Sequence, residues 1–127
     1  MEGAMIKLVY ILKARDDIAP EEFRRYWLED HAPLVTTVAG DIRARKYIQS
    51  HTINTPLNDA FVDSRGMAPI YDGITEVWFD SVEDVQAALE TAEGTRAGGL
   101  LLEDEAKFID FSRSTIFMTE EHEIFDR

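Results

Sequence analysis

The run Met5-Ile6-Lys7-Leu8-Val9-Tyr10-Ile11-Leu12-Lys13 is rich in β-forming residues and apolar on both of its alternating faces. Such a strand is stable only where both faces are covered. One layer of helices covers one face of a sheet, so the other face calls for a second layer. The rest of the chain must therefore supply helices for one side and a partner for the other.

The downstream pattern supplies the helices. Asp16-Asp17-Ile18-Ala19-Pro20 breaks the strand, and Pro20 at the first helical position with Glu21 and Glu22 behind it marks a helix start. Phe23, Trp27, His31 and Leu34 recur at spacings of three and four and form one apolar stripe, with Pro33 marking a new turn or kink after about Asp30. From Ile42 to Ile53 the period changes to two, which predicts a second strand. Residues 54–69 carry two prolines, Asn58, Asp59 and Gly66 and read as a long loop. Gly73 to Phe79 reads as a third strand. Ser81, with Asp84 three residues on, caps a helix whose stripe is Val82, Val85, Ala88, Leu89 and Ala92 and which ends near Gly94. Gly98-Gly99 reads as a bend before a short helix at 100–108, and residues 111–118 read as the last strand, ahead of an acidic tail from Glu120 to Arg127.

The order is β-α-β-β-α-β, a split-βαβ plait of the ferredoxin-like α+β class. At 127 residues the chain is expected to be a single domain, with residues 1–4 flexible. Both helices of a plait lie on one sheet face, so the expected cover for the other face is a second copy of the sheet. A homodimer of this kind encloses a dimeric α+β barrel between sheets about 10 Å apart.

Composition removes whole classes of function. A net charge of −12 repels a phosphate backbone, so nucleic acid is not an expected partner. No apolar run reaches the roughly 20 residues that span a bilayer, no export signal opens the chain, and a cytoplasmic protein with no membrane partner is expected. The absence of cysteine excludes disulfides and thiolate chemistry, and histidines at 31, 51 and 122 do not have the spacing of a metal site. Neither a metal nor a cofactor is expected, since phosphate-cradling and dinucleotide motifs are also lacking.

The expected partner is then a small molecule. If Ile42, Ala44 and Ile48 of the second strand face the helices, Tyr47, Gln49 and His51 face the dimer cavity, a mix of aromatic bodies and polar heads suited to a pocket. His31, at a helix end beside a proline, suits a general base near neutral pH, or else completes the Phe23-Trp27 stripe and bonds a backbone carbonyl. Tyr47 and His51 line one wall or sit at the rim. Glu76 and Trp78 share a face of the third strand; Glu76 is either a carboxyl raised toward proton-transfer range or an ion-pair partner of Arg43, Arg45 or Arg113. Tyr10 and Tyr26 complete the expected substrate contacts. Asp72 reads as a turn residue, and Asp104 and Glu105 as a solvated helix face.

Four fragments carry a family resemblance. Pro20-Glu21-Glu22-Phe23-Arg24-Arg25-Tyr26-Trp27 followed by His31-Ala32-Pro33-Leu34 resembles the first helix of EthD-domain proteins. Tyr47-Ile48-Gln49-Ser50-His51, Tyr71 to Asp80 and Asp104 to Asp110 resemble later parts of the same family, with Ser50 where an Asn is expected. The resemblance implies the dimeric α+β barrel and an absence of metals and organic cofactors. It leaves the reaction open, since its members include accessories of oxidative ether degradation and proteins similar to polyketide-tailoring dehydratases or decarboxylases.

The expected activity is cofactor-independent proton abstraction with elimination or rearrangement on a carbonyl or phenolic compound, His31 or His51 moving the proton and Tyr47 polarising the oxygen. An accessory oxidoreductase or monooxygenase, and a dimeric binding or stress-related module, are the alternatives.

Overall fold

The computed structural model describes residues 5–127, so the expected flexibility of residues 1–4 lies outside the described part. Among the described residues the strands are β1 (Ile6–Leu12), β2 (Lys46–His51), β3 (Gly73–Phe79) and β4 (Thr115–Glu120), joined in one sheet of order β2-β3-β1-β4. Every pairing is antiparallel. This is the ferredoxin-like α+β plait expected from the element order.

Between β1 and β2 runs an unbroken helical stretch: α1 (Pro20–Arg25), a π-helical turn (Tyr26–His31) and α2 (Ala32–Val38). Pro33 therefore does not end the helix. It has no N–H to give, and just ahead of it the Ala32 N–H reaches back to the Trp27 carbonyl, five residues away. The wider turn also straightens the buried stripe. Side chains spaced strictly by four drift about 40° per step around an α-helix, yet Phe23, Trp27, His31 and Val35 are all buried. Val35 and Val38 take the inward positions expected of Leu34.

The predicted loop at 54–69 contains a helix, α3 (Pro56–Arg65). The Thr55 hydroxyl accepts the Leu57 N–H at 3.3 Å, Pro56 opens the first turn, and Gly66 closes the helix at φ 59°, a left-handed conformation that favours glycine. Ser81 caps α4 (Val82–Glu90) through the Asp84 N–H as expected. The break then falls at Thr91, which caps α5 (Ala92–Glu105), and not at Gly94 or at Gly98-Gly99, which lie inside α5. The last strand starts later than predicted, because Phe111–Arg113 form a 3₁₀ turn.

The helices pack on one face around Leu12, Phe23, Trp27, Phe108 and Ile109. Phe23 lies 5.6 Å from Trp27 and 5.7 Å from Phe108, centroid to centroid. The strand register places Leu8, Tyr10 and Leu12 of β1 on this face together with Thr75, Val77 and Phe79 of β3. Lys7, Val9 and Ile11 face the other way with Ile74, Glu76 and Trp78, and Ile48 and Phe117 join them. Among the described residues no helix covers this second face. Among the described residues, no helix is long and apolar enough to cross a membrane.

Candidate active site

The π-helical turn and α5 build the centre of the site from opposite sides. The turn carries His31 inward, where its ring packs 5.0 Å from Phe108 and only 6% of the residue is exposed. From α5, Asp104 meets it: His31 Nδ1 and Asp104 Oδ2 are 2.7 Å apart. The Tyr26 hydroxyl donates to Asp104 Oδ1, and Lys107 Nζ stands 3.5 Å from that oxygen. The carboxylate is thus saturated by donors.

Charge follows from those contacts. Burial lowers the His31 pKa below its ordinary value, although the Asp104 hydrogen bond favours the protonated ring. Burial alone would raise Asp104, but the Tyr26 and His31 donors outweigh it and hold the carboxyl below its ordinary range. Both directions describe one state near neutrality, a neutral imidazole donating Nδ1–H to an ionised carboxylate. Nε2, which makes no hydrogen bond among the described residues, is then the free base.

His31 lines a cavity of about 110 Å³ between helices and sheet. Its walls are mostly apolar, with Tyr10, Tyr47, Thr75 and Glu105 as the other polar groups. Tyr10 donates to Glu105 Oε1 at 3.0 Å. Burial pushes the Glu105 carboxyl up to about 7, with Tyr10 opposing and the Asp104 charge adding. Burial and Glu105 together push Tyr10 upward, and burial does the same for Tyr47.

On β2 a glutamine organises the neighbours. Gln49 Nε2 donates to the Trp27 carbonyl at 2.8 Å and to the Tyr47 hydroxyl oxygen at 2.7 Å. Because a carbonyl can only accept, the amide orientation is fixed, and Oε1 must take the N–H of His51 Nε2 at 2.8 Å. His51 is therefore the Nε2–H tautomer. Its ring stacks on Trp27 at 4.2 Å and borders an open outer groove of about 790 Å³, and burial and the nearby Arg24 lower its pKa.

The predicted residues thus divide. Tyr10, His31 and Tyr47 meet in one cavity, Tyr26 stands behind Asp104, and His51 lies across the Trp27 ring from that cavity. Glu76 and Trp78 occupy the open sheet face, where Glu76 pairs with Lys7 at 2.7 Å and Trp78 Nε1 donates to Glu121 at 2.6 Å. The expected partners of Glu76 are engaged elsewhere, Arg43 with Asp84, Arg45 with Asp80 and Arg113 with Asp110.

One expectation is reversed. Tyr47, Gln49 and His51 face the helices and not the open face, while Ile48 points outward. The cause is that residues 39–43 form a turn, with Arg43 at φ 61°, and the strand begins only at Lys46, so the alternation counted from Ile42 and Ala44 does not carry into Lys46–His51. A second correction concerns α5: Asp104 is buried and Glu105 half-buried, neither on a solvated face. Asp72 starts β3 as expected, its carboxylate accepting the Ala14 N–H at 2.7 Å. Among the described residues no three His, Asp or Glu side chains converge as a metal site requires.

A family model for the EthD domain matches residues 15–112. This chain belongs to the EthD family. All four fragments quoted above fall within the matched span. An EthD family protein of Bacillus halodurans, 22% identical, superposes with a TM-score of 0.62 over 93% of this chain and 99% of that one. A dimeric ferredoxin-like protein of Thermobifida fusca is 12% identical, with a TM-score of 0.58 over 95% of this EthD chain and 94% of its own. SnoaB, a cofactor-independent oxygenase from Streptomyces nogalater, is 9% identical, with a TM-score of 0.57 over 98% and 99% of the two chains. At these identities the likeness establishes the fold that EthD proteins share, and chemistry must be argued from the site. No curated protein matches the chain.

Proposed function

We propose that this EthD-family chain catalyses proton transfer on a small, largely apolar carbonyl or phenolic compound, with His31 as the base. The observation that carries the reading is the Asp104–His31 pair in the wall of an apolar cavity. Asp104 orients the ring, fixes the proton on Nδ1 and stabilises the imidazolium that forms, which leaves Nε2 to accept a proton from the bound compound. In the step, a C–H bond next to a carbonyl breaks, an N–H bond forms at His31, and the electron pair moves through a new C=C bond onto the oxygen. Return of the proton to another carbon completes a rearrangement, and its delivery to a β-oxygen releases water and completes an elimination. Neither outcome needs an oxidant.

Solvent-deuterium exchange into small enolisable ketones, followed by NMR under nitrogen, tests this. Wild type should accelerate exchange, and His31→Ala should lose roughly 10²-fold or more of that rate. Equal exchange in the two proteins would remove His31 from the mechanism. Exchange that starts only when oxygen is admitted would favour an oxygenase.

We infer in addition a homodimer through the open sheet face. Val9, Ile11, Ile48, Ile74 and Phe117 form an apolar surface there that the chain's own helices do not cover, and similar solved proteins are described as dimeric. Phe117, on an edge strand and 47% exposed, can change without disturbing the helix-side core. Phe117→Asp should therefore halve the mass seen by light scattering while leaving far-UV circular dichroism unchanged. A variant that keeps the wild-type mass would place the interface elsewhere.

A further inference from the structure

We propose that Glu105 and Tyr10 form an oxyanion-binding wall of the cavity, and that the group bound there is the oxygen at the reacting end of a planar enolate or phenolate. The proposal takes the cavity from the reading above and adds the substrate class and a second acting residue.

The geometry begins with an uncompensated acid. Glu105 lines the cavity among Leu8, Val77, Phe79, Leu101 and Ile116, and Tyr10 is its hydrogen-bond partner among the described residues. Among the described residues no cation faces it: Tyr10 comes from β1, Tyr47 from β2, neutral His31 from the π-helical turn and Asp104 from its own helix. A carboxylate is poorly solvated in such walls, so Glu105 keeps its proton to about pH 7. Tyr10 donates to Oε1, which leaves the proton on Oε2, an atom with no hydrogen bond among the described residues.

A carboxylic acid held neutral in an apolar pocket, next to a tyrosine, donates a hydrogen bond that strengthens as charge develops on an acceptor oxygen. His31 Nε2 removes a proton from carbon, the electron pair arrives on the carbonyl oxygen, and Glu105 Oε2–H meets it there. Tyr10 supports Glu105 through the Oε1 bond. The cavity of about 110 Å³ is smaller than the roughly 150 Å³ that holds benzene in an engineered protein, so it takes the reacting end of a ligand.

Binding of 1,3-cyclohexanedione, a single-ring dione already ionised to its enolate near neutral pH, tests this by calorimetry. Between about pH 6.5 and about pH 8.5 wild-type affinity should fall roughly tenfold or more, because an ionised Glu105 repels the anion it had bound as a donor. Glu105→Gln keeps a neutral donor and an acceptor for Tyr10, so its affinity should stay level across that range. Glu105→Leu should lose binding at both ends. The series is repeated in His31→Ala, where the same fall should persist; this separates failure of the base from failure of the oxyanion wall. No enolate binding by the wild type, a level wild-type affinity, a falling one in Glu105→Gln, or retained binding in Glu105→Leu would each overturn the assignment.

Discussion

Asp104→Asn is expected to slow deuterium exchange by roughly 10²-fold or more while the protein stays folded. The amide keeps the shape of the carboxylate and can still hydrogen-bond His31 and Tyr26, so packing around α5 is retained. What disappears is the negative charge 2.7 Å from Nδ1, which stabilises the ring once it has taken a proton. The cost to stability should be on the order of 1–3 kcal/mol, the range for disturbing a buried hydrogen-bonded group. The pH profile gives a second reading. Without the carboxylate, nothing opposes the desolvation that depresses His31, so the acid limb of the exchange rate should move to lower pH as the maximum falls. An exchange rate and profile equal to wild type would reduce Asp104 to a packing element.

Trp27→Ala should destabilise the fold by about 3–5 kcal/mol, measured by urea unfolding. Trp27 is 1% exposed, and its indole touches three parts of the architecture. It packs against Phe23, stacks on His51 and lies over Gly73. The last contact is close: a Cβ at Gly73 would meet the indole at 2.5 Å, so β3 must begin with a residue that has no side chain. Losing the ring opens space that these neighbours cannot fill and joins the inner cavity to the outer groove. A loss below about 1 kcal/mol would mean that the surroundings collapse freely and that the core does not depend on this ring.

The elements were legible where local pattern decides them. The doubly apolar β1, the Phe23-Trp27-His31 stripe and the Ser81 cap all carry their signals within a few residues. Helix α3 carried its signals too, a Thr-Pro start and a Gly stop, but its polar composition masked them. The facing of β2 was lost in the turn at 39–43, because a count of two started at Ile42 runs through residues that are not extended. The site suffered most from distance: His31 and Asp104 are 73 residues apart in the chain, and Tyr10 and Glu105 are 95 apart. No periodicity reports such a pairing. One signal was available, since Gly94, Ala97, Leu101 and Asp104 recur at spacings of three and four and mark the inward side of α5. Reading Gly98-Gly99 as a bend interrupted it. Glycine weakens an isolated helix by about 1 kcal/mol, which tertiary packing readily overrides.

Asp104 and Glu105 are consecutive residues of one helix, yet their environments push them in opposite directions: donors hold Asp104 below the ordinary carboxylate range, and burial raises Glu105 to about 7. The start of α5 is pinned where Gly94 approaches the Ala88 carbonyl so closely that an added Cβ would lie 1.8 Å away. On the proposed reading, the residue that orients the base and the acid that meets the oxygen stand side by side on α5, so a shift of this helix that moved Asp104 against His31 would also move Glu105 against Tyr10.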